Sequence, residues 1–313
     1  MLARIFTVAV LLLVLAFPMT AKELKVLMIG NSFSICVGRN LPQIVAADPD
    51  NKLILTSAFI GGCTFERHYN NLVKAEANPQ HSPYRITVWD SAAENEKKQI
   101  SEKKGNINEL LKNNQYDIIT IQQGSQKSFN FAAYEPFAGD IIKYIRKYQK
   151  NAEIVVHQTW SYRSDSKRFP ALIEDQNIMY GKLKEAYGQL AEKYKFRVIP
   201  MGDAVQAYRA AAPVKFAVAT TQVVYPKLPS DAGDVVGKFA WRVDRKTKQR
   251  TLGTDSHHLN NRGEYMQAVL WYMFLFNAPV EKVKFIPKDI PAGEATLLLK
   301  SAAKALAEYK QVK

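Results

Sequence analysis

The feature that most constrains this chain is its alternation of short, β-branched apolar runs with longer amphipathic ones. Leu24–Ile29 ends at Gly30, Leu53–Phe59 runs toward Gly61-Gly62, and Asp117–Ile121 leads into Gln122-Gln123-Gly124. Glu153–His157 is a fourth such run and Phe196–Pro200 a fifth. Apolar runs bounded by glycine or proline fit strands covered on both faces. Helical spacing fills the intervals: Ile107–Lys112, Pro136–Tyr148 and Glu174–Tyr194 precede the third, fourth and fifth strands. Asn260–Phe276 and Ala292–Tyr309 are predicted as further helices. Strand and helix alternation of this kind predicts a parallel sheet with right-handed crossovers.

Two stretches break the pattern. Residues 81–104 are polar and irregular around one strand-like piece, Arg85–Trp89. Residues 214–253 carry Pro226, Pro229, Gly233 and Gly237, then Phe239–Val243. A polar stretch to Gln249 and a return at Arg250–Leu252 predict a hairpin there. Long insertions in α/β domains usually form binding loops or lids.

The N-terminus lies outside this pattern. Arg4 precedes an apolar run from Ile5 to Phe17, followed by small and polar residues to Ala21 and a restart at Lys22-Glu23. A basic start, a short apolar stretch and a small residue before the restart predict a secretory signal over 1–21. The run is too short for a membrane span, which needs about 20 apolar residues. The expected location is therefore secreted or periplasmic, with no membrane span after cleavage and residues 22–313 forming a single domain.

The formal charge is +14, and Arg4 is the only charge in 1–21, leaving +13 on the remainder. A basic surface attracts anionic partners such as acidic polysaccharides. Nucleic acid is not expected, because the cations are dispersed and no zinc spacing or nucleic-acid-binding aromatic motif accompanies them. Two cysteines, Cys36 and Cys63, cannot build a disulfide scaffold. They either pair with each other or, the preferred reading, stay as free buried thiols.

Polar residues gather where the strands end, and open α/β sheets build their sites there. After the first strand comes Gly30-Asn31-Ser32-Phe33-Ser34. A serine on a tight strand-to-helix turn can expose its hydroxyl as a nucleophile, although Ser32 or Ser34 could simply cap the next helix. Just before the last core helix stands Gly253-Thr254-Asp255-Ser256-His257-His258-Leu259. A carboxylate three residues from an imidazole, on one turn, can orient that ring as a base for the serine. By composition alone His257 rivals His258. His157, at the end of the fourth strand, fits packing better than catalysis. Trp160 and Arg163, shortly after it, are candidates for sugar stacking and for contact with an anionic group, with a core Trp and a surface Arg as the alternatives. No His, Cys and carboxylate set has metal-ligand spacing, so neither metal nor cofactor is expected.

These blocks resemble those of the SGNH, or GDSL-type, serine hydrolases, particularly exported bacterial members with Gly-Asn-Ser in the first block. The resemblance runs from Lys25 to about Phe276 and keeps the block order. It implies Ser32 as nucleophile, His258 as base and Asp255 as its carboxylate. The Ser32 and Gly62 N–H groups would form part of the oxyanion hole. Where the family has Gly-x-Asn, this chain has Gly124-Ser125-Gln126, so Gln126 takes the Asn position, with Gln123 as the other candidate donor. Asn31 stands where Asp is usual and is expected to shape the turn beside bound substrate. The implied fold is a flavodoxin-like three-layer α/β/α sandwich with five parallel strands in order 2-1-3-4-5. The implied chemistry is cofactor-free hydrolysis of an ester, with O-acetyl groups on carbohydrate preferred. A lipase- or thioesterase-like activity and a catalytically silent glycan-binding protein are the alternatives.

Overall fold

The computed structural model describes residues 22–220, 223–309 and 311; the expected signal at 1–21 lies outside the described residues. Its sheet strands are β1 (Lys22–Gly30), β2 (Asn51–Phe59), β3 (Tyr84–Asp90), β4 (Gln99–Gly105), β5 (Ile118–Ile121), β6 (Glu153–His157) and β7 (Val198–Ile199). They form one seven-stranded sheet in the order β4-β3-β2-β1-β5-β6-β7. β1 pairs in parallel with β2 on one side and β5 on the other, and β5–β6 and β6–β7 are also parallel. β3 and β4 join antiparallel at the β2 edge.

The expected five-stranded, all-parallel sheet is thus corrected to a mixed one of seven strands. The segment read as an irregular insertion, 81–104, supplies both added strands. β4, Gln-Ile-Ser-Glu-Lys-Lys-Gly, is exposed along most of its length and so carries no hydrophobic alternation. Its charges are what an open sheet edge needs to resist pairing with another chain.

Helices cover both faces. In chain order they are α1 (Ser32–Ile35), α2 (Leu41–Ala46), α3 (Phe65–Ala77), α4 (Ile107–Asn113), α5 (Phe137–Tyr148), α6 (Gln176–Tyr194), α7 (Met201–Ala211), α8 (Asn261–Phe276) and α9 (Ala292–Glu308). Alternation along β1 divides its side chains between two cores. Leu24, Val26 and Met28 pack with α2, α7, α8 and α9, whereas Leu27 and Ile29 pack with α3, α4, α5 and α6. Every residue of α8 from Gly263 to Phe276 is buried, as a helix apolar on all sides requires. Among the described residues no helix is long and apolar enough to cross a membrane.

The 214–253 insertion contains the expected hairpin, but it is longer. β8 (Val236–Val243) pairs antiparallel with β9 (Arg250–Leu259) in a separate two-stranded sheet. Asp255 and His258 therefore lie at the end of a strand, not on a free turn before α8. The pairing jumps from Lys238↔Asp255 to Val236↔Leu259, so Ser256, His257 and His258 stand opposite Gly237 alone. Gly237 has φ +100°, and a Cβ there would strike the Arg163 guanidinium. Bulges of this kind bend a strand and re-aim its side chains. Here the bulge turns the histidine pair toward the carboxyl end of β1.

Candidate active site

β1 is the switch strand: its neighbours continue in opposite directions from it, and crevices form outside the carboxyl ends of strands at such points. Gly30 ends β1, and Asn31 caps α1. The Asn31 side chain is committed in three directions. Its Oδ1 accepts from Phe33 N at 3.0 Å and from Gln122 Nε2 at 2.9 Å, and its Nδ2 donates to the Cys63 carbonyl at 3.0 Å. One residue thus ties the ends of β1, β2 and β5 together and leaves Ser32 at the rim.

The His258 Nε2 lies 2.8 Å from Ser32 Oγ. On the other side of the ring, His258 Nδ1 lies 2.7 Å from Asp255 Oδ2. A nitrogen that close to a carboxylate carries the proton, so Nε2 presents its lone pair and the serine hydroxyl donates to it. The second carboxylate oxygen, Oδ1, accepts the backbone N–H groups of His257 and His258, each at 3.1 Å. Burial raises the Asp255 pKa, but the His258 ring and these two N–H donors outweigh it and hold the carboxyl well below its ordinary range. Asp255 therefore stays ionised behind the ring.

His257 does not take this place. Its Nδ1 sits 3.1 Å from Asp255 Oδ1, and its ring packs 4.1 Å from that of His258 and edge-on to Tyr162. Burial, reinforced by the adjacent His258, pushes its pKa down to about 4. Asp255, His257 and His258 bring possible ligand atoms within 4.8 Å of one another, the only such trio among the described residues. A cation there would have to displace the Nδ1 proton that pairs the His258 ring with the carboxylate.

Ser32, His257 and His258 line a cavity of about 440 Å3 together with Gly62, Gln126 and Arg168. The backbone N–H groups of Ser32 and Gly62 have no hydrogen-bond partner among the described residues. The turn after β5 is pressed against the one after β2, and a Cβ on Gly124 would come within 2.9 Å of Thr64 and 3.1 Å of the Cys63 carbonyl. That close approach brings Gln126, whose exposed amide has no partner among the described residues, to the cavity wall.

Four expected contacts are corrected. Gln123 is fully buried, with its Oε1 accepting from Phe65 N and Gly124 N and its Nε2 donating to the Ala133 carbonyl. Its amide holds backbone and does not line the cavity. Asn31, 1% exposed, shapes the turn and meets no substrate surface. Trp160 is fully buried, stacked on Phe33 at 4.3 Å and donating to the His257 carbonyl at 2.9 Å. It braces α1 and the histidine bulge from within. Arg163 is also fully buried, forked onto Asp165 at 2.7 and 2.8 Å and sandwiched between Phe216 and Phe239. It is an internal tie between the hairpin and the body, with no face for an anionic ligand.

The cysteines are both free and buried, and burial pushes each thiol up to about 12. Cys36 donates to Gln267 Oε1 at 3.0 Å, while Gln267 Nε2 donates to the Phe33 carbonyl at 2.8 Å. His157 is buried against Trp271 and contacts Gln267 Nε2 at 3.1 Å, remote from the cavity lining. Sequence reasoning overlooked Gln122, Gln267 and Arg168. The first two could have been sought as polar residues at a strand end and inside an otherwise apolar helix; Arg168 carried no signal.

No curated protein sequence matches the chain. A crystal structure of a DUF4886 family protein from Bacteroides uniformis ATCC 8492 matches with a TM-score of 0.74 at 24% identity, covering 93% of this chain and 98% of that one. This likeness shows the fold. A protein from Slackia heliotrinireducens, described as a candidate SGNH hydrolase, matches with a TM-score of 0.48 at 16% identity, covering 81% of this chain and 100% of that one. A catalytic mutant of an acetylxylan esterase from Geobacillus stearothermophilus matches with a TM-score of 0.42 at 10% identity, covering 85% and 96%. The family model described as a domain of unknown function, DUF4886, matches residues 25–217, which include Ser32, Gly62 and Gln126 but end before the β9 bulge. That match takes in more than half of the chain, which therefore belongs to the DUF4886 family.

Proposed function

We propose that the protein is an exported serine esterase of the SGNH type, with Ser32, His258 and Asp255 as its catalytic residues. The observation that carries this is the hydrogen-bonded line Ser32–His258–Asp255, with 2.8 Å and 2.7 Å steps, opening on a cavity. The geometry suits acyl transfer. As Ser32 Oγ attacks the ester carbonyl, His258 Nε2 takes its proton and Asp255 balances the imidazolium. The developing oxyanion meets the unpartnered Ser32 and Gly62 N–H groups and the Gln126 amide. His258 then returns the proton to the departing alcohol, leaving an acyl-serine. Water, deprotonated by the same imidazole, releases the acid and restores Ser32.

A small acyl group on carbohydrate is the preferred substrate, supported by the resemblance of the sequence blocks and by the basic charge. Export rests on the N-terminal apolar run. Hydrolysis of p-nitrophenyl acetate and longer acyl esters by the parent protein and by Ser32→Ala tests the reading. Acetate hydrolysis that Ser32→Ala abolishes is the expected result. A steep preference for long chains selects a lipase-like activity instead, and no hydrolysis by the parent overturns the esterase reading in favour of a silent binding protein.

A further inference from the structure

A second cavity, of about 490 Å3, adjoins the one at Ser32, and the two share Arg168 and His257 in their walls. Both volumes lie in the range of small-ligand sites. The outer cavity is lined by both apolar and hydroxyl side chains. Phe239, Leu252 and Val218 give it apolar surface, and Ser166, Thr254 and Ser256 bring hydroxyls, with Phe239 paired directly across the hairpin from Thr254.

Its charge is one-sided. Among the described residues Asp165 is the one acidic residue on either lining, and Arg163 occupies both of its carboxylate oxygens. Lys167 and Arg168 face the space without an acidic partner among the described residues. Arg168 is also held in place. Its Nη1 donates to the Tyr162 hydroxyl at 3.1 Å, and its guanidinium lies 5.2 Å over the Tyr162 ring. Tyr162 is itself anchored, 2.9 Å from Ser125 Oγ on the wall of the Ser32 cavity. The remaining guanidinium N–H groups have no protein acceptor among the described residues, and a guanidinium matches a carboxylate in a planar fork.

Resting on the esterase reading of Ser32, we infer that Arg168 is a specificity-determining residue, and that the alcohol half of the ester is a sugar ring bearing a carboxylate. The acyl group reacts at Ser32 while the ring extends past His257 into the outer cavity. Phe239 offers apolar surface for its C–H groups, Thr254 and Ser256 offer partners for its hydroxyls, and its carboxylate reaches Arg168. A long acyl tail would leave these hydroxyls and the guanidinium unmatched. A neutral sugar would leave the guanidinium unpaired.

The test uses two probes that differ only at C6, carboxylate against hydroxymethyl: a mono-O-acetylated methyl glucuronoside and the matching mono-O-acetylated methyl glucoside. The readout is the ratio of their kcat/KM values within each protein, which is unaffected by any loss of folded enzyme. The parent should favour the acidic probe about 10- to 100-fold, the range of one charge-assisted contact. Arg168→Gln should bring the ratio to near one, mainly through KM, and Arg168→Lys should keep part of it. A parent ratio near one overturns the inference, as does an Arg168→Gln that slows both probes by the same factor. If p-nitrophenyl acetate is hydrolysed but the acidic probe is not, this inference fails and the esterase reading stands. If neither is hydrolysed, both fail.

Discussion

The ring of His258 stands 2.8 Å from the hydroxyl of Ser32, although 226 positions separate the two in the chain. Neither residue reaches the other by local geometry. Ser32 is held by the Asn31 cap at the end of β1, and His258 by a bulge in a hairpin that belongs to a different sheet. The site thus depends on how the hairpin docks.

The two adjacent histidines should separate sharply on substitution. His258→Ala removes the base and should lower kcat at least 10^3-fold, and Asp255→Asn should lower it on the order of 10^4-fold through loss of ring orientation. His257→Ala should cost less than about tenfold, because its ring supports the carboxylate from the side and does not reach Ser32. Steady-state kinetics on p-nitrophenyl acetate decide this. An equal loss in both histidine variants would contradict the assignment of the base.

Gln126 should act in the transition state. Its side chain lines the Ser32 cavity without a partner among the described residues. Gln126→Ala should lower kcat roughly 100-fold, with KM little changed, the cost of losing one oxyanion donor. Gln126→Asn tests reach: partial activity is expected if the longer stem of glutamine spans a wider gap. Full activity in Gln126→Ala would place the donor elsewhere.

Arg163 should prove structural. Arg163→Met leaves the largely buried Asp165 carboxylate without its fork partner, at a cost of about 3 kcal/mol. Urea unfolding should show that loss, while KM of the folded fraction stays at the parent value. A raised KM with unchanged stability would instead restore Arg163 as a ligand contact.

Acid should destabilise the fold before the carboxylates titrate. Burial pushes His68 and His157 down to about 3 and His257 to about 4. In the unfolded chain an ordinary histidine protonates near pH 6.5. Between about pH 6.5 and 4 the unfolded state therefore binds protons that the native state does not. Stability falls as pH falls, by up to about 1.4 kcal/mol per unit for each histidine, and the loss levels off below the folded values. Urea unfolding between pH 7 and 4.5 should show this slope, and His157→Gln should reduce it. A flat profile would mean that these rings are not held neutral.

The parallel strands were legible because each is a β-branched run buried on both sides and stopped by glycine, proline or a polar turn. β4 was not, because an exposed edge strand carries charges where a core strand carries pattern. Ser32, Asp255 and His258 stood out as candidates through the resemblance of their blocks, with His257 a rival by composition; the bulge opposite Gly237 that aims the histidines carried no signal, because it is a property of β8 and β9 pairing. Trp160 and Arg163 were misjudged for one shared reason. A lone Trp or Arg after a strand looks the same whether it faces a cleft or the core, and the partners that bury Arg163, Phe216 and Phe239, come from distant segments. Gln123 was ambiguous with Gln126 until the register of the turn showed which amide already holds backbone.

Covalent labelling tests the role of Ser32 most directly. The protein is treated with a fluorophosphonate, an irreversible phosphorylating reagent for activated serines, then digested and analysed by mass spectrometry. One adduct per chain on Ser32 is expected, absent from Ser32→Ala and strongly slowed in His258→Ala. An adduct on a different serine, or ester hydrolysis that persists in Ser32→Ala, would contradict the assignment of Ser32 as nucleophile.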